Sequence, residues 1–579
     1  MITIIDNPKN NRYVFLLGDV QELAVIEKHF NKIPDYMFLP QFRGVPKPVV
    51  YMHRANKKDG SLYMWAFAGL WKEIIDYCKA TNISINDKIS EDFKHRKMCS
   101  LDEFTSIVNG WHLNLKPRDY QIKAAWLILN YRQSLSQLAT RAGKTLIFYL
   151  IARYMTEYCG VKKTLMVVPN VTLVTQGLED MKEYADFFTG EAVWASGEQV
   201  STANLTIGTY QSLVNKLSPQ IKDSKTKRFK PNPKYDPDYF NDFDLVCIDE
   251  AHHLVCDSIE KILSQPFIEK VKCMFGFTGT LPKPDTIESF SCHMLMGPKI
   301  QDVTTAELVE QGFICNASIQ QIIIKHDFND IDFCRDWITA AEYVLSDTKK
   351  VDGKEVMRPK EEQRLTMTKV KTLPLVLSSQ KHLYTEREWV MFLKDYAKTM
   401  GSECLQIEQL TACMSKARYK VIDEIINTNN GNGILFGNHS EYIEEVAAYL
   451  KEHYPDKEVY IIKGSTSPKK RNEIKSRMLE TNNCLVVASY GVLSTGVTLK
   501  NVNWGILCES YKSDIINKQT IGRGLLTAEG KEYFYIYDLI DDMPTGKIIK
   551  HGNAKMKTFI NSKFVTSRRV FYLKKLTLF

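Results

Sequence analysis

The stretch Ala139-Thr140-Arg141-Ala142-Gly143-Lys144-Thr145 constrains this chain more than any other, because it lies between a short alternating run, Ser134 to Leu138, and the apolar Leu146 to Tyr158. Alternation at period two reads as a strand, and the apolar run after it reads as a helix. A strand, a tight turn and a helix in that order aim backbone N–H groups and the positive end of a helix at one spot, where a phosphate can sit. Lys144 can then reach the terminal phosphates of a nucleotide, and Thr145 can offer its hydroxyl to Mg²⁺. The full phosphate-loop signature asks for a glycine where Leu138 stands, so this stretch alone leaves a chance surface turn open.

The downstream pattern decides against chance. Thr164 to Pro169, Leu205 to Thr209, Asp244 to Ile248 and Cys273 to Phe277 read as strands, and Val171 to Tyr184 as a helix. Strands alternating with helices build a parallel sheet, whose ligands bind at the carboxyl ends of its strands. Every candidate motif falls at such an end. The run Asp244 to Ile248 delivers Asp249-Glu250-Ala251-His252, two adjacent carboxylates suited to phosphoryl transfer. Asp249 can hold the Mg²⁺ that bridges phosphates, and Glu250 can orient and deprotonate the attacking water.

A second series of strand runs, Gly433 to Gly437, Val459 to Lys463, Cys484 to Ala488, Gly505 to Glu509 and Tyr533 to Leu539, makes a second α/β unit. Within it, Gln519-Thr520-Ile521-Gly522-Arg523 presents an arginine that can stabilise charge on a transferring phosphate. Upstream of the loop, Arg118 and Gln121 open a helix after Pro117 and can hydrogen-bond an adenine edge.

At 579 residues the chain is too long for one core, and three or more domains are expected. Hydrophobic content of 44% and a net charge of +8 describe an ordinary globular protein that permits a nucleic-acid partner without demanding one. The thirteen cysteines form no C-x-x-C pair and read as core residues in a reducing compartment. No apolar segment is long enough to span a bilayer, so a cytoplasmic protein without a membrane partner is expected.

Residues 1–110 read as two or three short strands with a hairpin at Lys57-Lys58-Asp59-Gly60, followed by a helical stripe from Leu70 to Ala80. Basic residues, Arg43, Lys57 and Lys58 among them, are interleaved with aromatics such as Tyr63 and Trp65, as on a surface that holds phosphates and stacks bases. Composition by itself favours the plainer reading, core aromatics and solvated lysines. Residues 218–242 read as a mobile basic loop, 325–432 as mostly helical, with helices at Asp332 to Leu345, Glu386 to Met400 and Gln406 to Asn427 and a polar flexible insert at Ser346 to Gln363, and 546–579 as a basic helix and strand on the second unit.

Assembled in this order, the motifs resemble those of the DExH-type superfamily 2 helicases from about Lys116 to Asp542, and the whole chain is similar to the phage UvsW-type recombination helicases. The resemblance implies two tandem RecA-like domains, 111–324 and 433–545, flanking the 325–432 insert, with a small nucleic-acid-binding N-terminal domain. It implies ATP and Mg²⁺ as cofactors, with Ala142, Gly143 and Gly496 added to the nucleotide-contacting set and Gln519 acting beside Arg523. Pro169, Gln176, Gly208, Thr209, Asn438 and Ser489 fall in the family's strand-holding motifs. The implied activity is 3′-to-5′ unwinding and branch migration of forked or junction DNA, or of RNA in hybrids, by a monomer in the cytoplasm, the host's if the chain is phage-encoded. An RNA helicase, a duplex translocase and a binding scaffold with a degenerate ATPase are the alternatives. Arg141, where the family has glycine, and Leu526, where it has arginine, favour the scaffold; Lys144, Asp249 and Glu250 favour catalysis.

Overall fold

The computed structural model describes residues 1–7, 12–34, 37, 45–57, 59–96, 98–193, 203–222, 228–328, 330–344, 348–351, 354–357, 404–490, 501–509, 521–522, 524–525 and 531–573. They fall into two compact units, Met1–Thr304 and Thr305–Phe579.

The first unit opens with a five-stranded sheet of β1 (Ile2–Asp6), β2 (Tyr13–Leu17), β3 (Met52–Asn56), β4 (Leu62–Phe67) and β5 (Ile85–Asp87), in the order β3-β4-β2-β1-β5. Its neighbours are antiparallel except for β1 and β5. Alternate residues Ile2, Ile4, Val14, Leu16, Met64 and Ala66 are buried against the helices Val20–Phe30 and Trp71–Ala80. The hairpin at Lys57–Gly60 is where the sequence puts it; β1, β2 and β5 add to the strands expected there.

This sheet is fastened to the rest of the unit through the helix Ile287–Met296. Phe290 enters its core, and the Tyr51 hydroxyl donates to the Ile287 carbonyl at 2.9 Å. A side chain at Gly69 would bring a Cβ within 2.1 Å of the His293 carbonyl oxygen, so only glycine allows that approach.

The large sheet of the first unit uses β6 (Gln133–Leu138), β7 (Thr164–Val168), β8 (Gly190–Val193), β9 (Leu205–Thr209), β12 (Leu245–Ile248), β13 (Cys273–Thr278) and β14 (Lys299–Val303). A small antiparallel ribbon of β10 (Gln220–Lys222) and β11 (Phe229–Pro231) stands apart from it, where a mobile basic loop was expected. The order is β14-β6-β13-β12-β7-β9-β8, parallel at every pairing. Strands β7, β12 and β13 are buried at every residue, the pattern of strands covered on both faces.

The second unit holds β15 (Asn316–Lys325), a hairpin of β16 (Thr348–Val351) and β17 (Lys354–Met357), then β18 (Gly433–Gly437), β19 (Glu458–Ile462), β20 (Cys484–Ser489), β21 (Trp504–Leu507), β22 (Tyr533–Asp542) and β23 (Val565–Tyr572). Apart from the hairpin these strands form a second parallel sheet, β19-β20-β18-β21-β22-β15-β23.

Two expectations change. The boundary expected after residue 324 moves to Thr304, because β15 pairs along its whole length with β22 and belongs to the second sheet. The tail 546–579 is a helix and a strand on the second unit, as expected: the helix Lys547–Asn561 packs on β22, and β23 closes the sheet beside β15. The single helix expected over Gln406–Asn427 is two, Cys404–Met414 and Tyr419–Thr428, broken where the Arg418 side chain turns into the core. Residues 358–403, which include an expected helix at Glu386–Met400, lie outside the described residues. Among the described residues no helix is long and apolar enough to cross a membrane.

Candidate nucleotide and nucleic-acid site

Strand β6 ends at Leu138, and the loop after it is anchored by the Ala139 N–H on the Val303 carbonyl at 2.9 Å. The Ala142 N–H then folds back onto the Ala139 carbonyl, 3.1 Å away. Arg141 and Gly143 both take φ of +77°, the left-handed region, and Lys144 begins the sixteen-residue helix Lys144–Cys159. Arg141 therefore adopts a backbone that glycine would adopt more easily, at some cost in strain.

The loop is held from beneath by the helix Asp119–Leu129. Gln121 is buried; its amide donates to the Ala142 carbonyl at 3.0 Å and accepts from the Arg118 N–H at 2.9 Å, while the Tyr120 hydroxyl donates to the same Ala142 carbonyl at 2.8 Å. Read from the sequence as an adenine contact, Gln121 here braces the phosphate loop. A Cβ at Gly143 would lie 2.2 Å from Gln121 Nε2, so the brace requires that glycine.

Parallel pairing puts the ends of β6, β13 and β12 side by side, and with them the chemistry. Lys144 Nζ meets Glu250 Oε1 at 3.2 Å, with both side chains about one-seventh exposed. Glu250 itself is left-handed, φ +52°, and its N–H donates to Asp249 Oδ1 at 3.0 Å. His252 Nδ1 lies 3.0 Å from Thr278 Oγ1 and 3.3 Å from Glu250 Oε2. The Thr278 hydroxyl gives its proton to the Thr280 carbonyl at 2.9 Å, which leaves His252 Nδ1 as the donor in their contact. Burial pushes the His252 pKa down to about 4, with His253 and Lys144 adding to the fall and Glu250 opposing it. The ring is neutral at pH 7, a hydrogen-bonded strut between β12 and β13 rather than a charge.

Thr145 donates a hydrogen bond to Asp180, on the helix Val171–Tyr184, and Gln176 bonds the same carboxylate. Burial, with Glu183 and Glu179 nearby, raises the Asp180 pKa to about 6 against those two hydrogen bonds. One side chain thus joins an expected metal ligand to an expected nucleic-acid contact. In the sequence only the i, i+4 spacing of Gln176 and Asp180 links the two.

The remaining strand-end residues are placed as follows. Pro169 follows β7 and is partly exposed. Gly208 and Thr209 close β9 and are buried, with Thr209 Oγ1 accepting the Ser212 N–H as a helix cap. Lys57 is exposed beyond β3. In the second unit Ser489 ends β20 and Asn438 follows β18, exposed. Glu509 sets the Asn438 turn: Oε1 accepts the Asn438 and His439 N–H groups at 2.6 and 3.1 Å, and Oε2 lies 2.7 Å from His439 Nδ1. Cys413 stands within 4.8 Å of this pair, but burial holds its thiol protonated and both Glu509 oxygens are taken, so the cluster is a clamp rather than a metal centre. Arg43, Lys58, Gly496, Gln519 and Arg523 lie outside the described residues.

Thr145 and Asp249 offer a hydroxyl and a carboxylate, the hard oxygen donors Mg²⁺ prefers, at the carboxyl edge of one sheet.

A family model described as the res subunit of type III restriction enzymes matches residues 114–283, and one described as the helicase conserved C-terminal domain matches residues 417–525. The ATP-dependent DNA helicase uvsW of Enterobacteria phage T4 is 24% identical over 471 residues, covering 78% of this chain and 76% of that protein. The putative ATP-dependent helicase IRC3 of Saccharomyces cerevisiae is 21% identical over 446 residues, 74% of this chain and 52% of that protein. The crystal structure of T4 UvsW aligns with 99% of this chain and 100% of that one, at 20% identity and a TM-score of 0.41.

Proposed function

We propose that this chain, similar as it is to ATP-dependent DNA helicases such as uvsW, is an ATP-dependent superfamily 2 helicase that unwinds or branch-migrates forked and junction DNA in recombination, repair and replication. The observation that carries the reading is the Lys144–Glu250 pair at 3.2 Å, at the joined ends of β6, β13 and β12. A lysine paired with a carboxylate at the carboxyl edge of a parallel sheet is a cation able to exchange that partner for a phosphate.

When ATP enters, Lys144 moves its charge to the terminal phosphates, and Glu250, released, turns to the attacking water as general base. The loop amides of Ala142 and Gly143 receive the phosphate oxygens, with Gln121 and Tyr120 keeping the loop in shape. Asp249 and Thr145 would hold Mg²⁺, which would supply neutralisation of phosphate charge. Arg118 serves the base side; Arg523, Gln519 and Gly496 complete the nucleotide contacts. Pro169, Gln176, Gly208 and Thr209 in the first unit, and Asn438 and Ser489 in the second, each contact a nucleic-acid backbone, and Arg43, Lys57 and Lys58 do so from the N-terminal sheet.

The test is steady-state ATP hydrolysis by the full chain, alone and with single-stranded DNA, duplex DNA, a four-way junction and matched RNA. Stimulation greatest with the junction supports the reading. Stimulation by RNA alone transfers it to RNA, and no hydrolysis at saturating ATP and Mg²⁺ leaves a binding scaffold.

A further inference from the structure

The N-terminal sheet has a second face. Pairing of β2, β3 and β4 sets Tyr13, Phe15, His53, Tyr63, Trp65 and Phe67 opposite the side that the two helices cover. On the covered side Ile2, Ile4, Val14, Leu16, Met52, Met64 and Ala66 are buried against the helices, and that core is built without these six rings. They stay partly exposed.

The rings form an array rather than a scatter. His53 lies flat on Trp65, centroids 3.9 Å apart and planes 9° from parallel. Tyr13 meets Trp65 edge-on at 5.0 Å and leans on Phe67 at 5.5 Å, and Phe15 meets Tyr63 at 5.8 Å. The other positions on this face of β1 to β4 are Thr3, Ile5, Leu17 and Ala55, so no strand position there carries a carboxylate. Just past Ala55, Lys57 stands exposed at the hairpin.

We propose that this face is a stacking platform for single-stranded DNA, the product of strand separation, and the proposal rests on reading the chain as a DNA motor. The chemistry selects the occupant. Partly exposed rings offer aromatic surface to bases of any sequence, strand positions without a carboxylate do not repel a phosphate backbone, and Lys57, exposed at one end beside Asp59, meets it. The strand stacks along Trp65 and Tyr13 with its phosphates running toward Lys57, a hold that tolerates every sequence.

The experiment uses the full chain without nucleotide and a fluorescein-labelled oligo(dT), with affinity read by anisotropy. Replacing Tyr13→Leu and Trp65→Leu together keeps apolar bulk but removes two π faces, and binding should weaken about ten-fold or more. Trp65→Phe, which keeps a ring, should recover most of the loss. The slope of affinity against salt should be unchanged, because the phosphate contacts are untouched. Ultraviolet cross-linking of the wild-type protein to the same oligonucleotide, mapped by mass spectrometry, should mark the peptides carrying Tyr13 or Trp65 whatever the folding of the variants.

Unchanged affinity with no cross-link in these strands would overturn the proposal. So would tighter binding of matched RNA with the same sensitivity, or a leucine variant that alters only self-association in sedimentation, which would make the face an interface between copies. DNA-stimulated hydrolysis that survives in a chain with no platform binding removes the platform and leaves the helicase. Platform binding without any stimulated hydrolysis supports the platform and removes the motor.

Discussion

The two large sheets are built alike, seven parallel strands each, yet they use buried charge in opposite ways. In the first, Lys144 and Glu250 meet at the strand ends with side chains 14% and 16% exposed, near enough to solvent to change partners. In the second, charges are sealed inside. Lys555 pairs with Asp538 at 1% and 0% exposure, and Gln321 donates to the other Asp538 oxygen at 2.9 Å. Arg418, likewise buried, reaches Asp541 at 3.2 Å, and Asp541 also meets His326 Nε2 at 2.8 Å. Burial pulls the Asp541 pKa up, but Arg418 and His326 outweigh it and hold the group below the usual carboxylate range. The contrast teaches that a buried ion pair is not in itself a functional signal. What separates the two kinds is position: at the carboxyl edge a ligand can replace one partner, while between a sheet and its covering helix nothing can.

The contrast can be tested by breaking each pair. Lys144→Ala should reduce ATP hydrolysis to background while the unfolding midpoint moves little; retained turnover would show that the first pair is as structural as the second. Glu250→Gln should keep nucleotide binding, measured by calorimetry, and lower turnover by about 10²–10⁴-fold, the usual worth of a general base. Lys555→Met should act the other way. It strands Asp538 without its cation and should cost about 3–5 kcal/mol in urea unfolding, and the paired change with Asp538→Leu should return part of that loss.

Asp180→Ala, which frees Thr145, should raise the Mg²⁺ concentration needed for half-maximal hydrolysis by roughly 10–100-fold, as loss of a ligand's supporting partner does elsewhere. The smallest effect is a pH dependence in the second unit. The hydrogen bond that the His439 ring donates to Glu509 raises the His439 pKa above 6.5 in the folded state. The stabilisation is therefore complete below the unfolded value of 6.5 and is lost as pH rises through the folded one. The unfolding midpoints of wild type and His439→Asn should differ most at pH 6 and converge toward pH 9; a gap that widens with pH would reverse the assignment.

Most strands of the two parallel sheets could be read in advance because apolar runs such as Thr164 to Val168 and Gly433 to Gly437 are continuous and bounded by motif residues. Strand β15 could not. Gln320 and Gln321 interrupt its apolar pattern, and Gln321 is buried only because Asp538 and the Gly552 carbonyl receive its amide. The break between Met414 and Tyr419 was hidden in the same way, since an arginine is expected in solvent until Asp541 is found opposite it. Within the site, Lys144, Asp249 and Glu250 were legible from residue type and spacing. Asp180 and Glu509 were not, because a carboxylate that orients another residue looks like any surface acid in the chain.

By itself the sequence determined the parallel architecture and the chemistry at its edge, because hydrophobic period and motif spacing are local properties that survive without knowledge of partners. Only the tertiary structure decided which polar groups face one another: that Gln121 braces a loop, that β15 and the C-terminal strand join the second sheet, and that six rings share the open face of the N-terminal one. Those outcomes depend on contacts between residues far apart in the chain, and a side chain's desolvation and hydrogen bonds are set by whatever the fold brings against it.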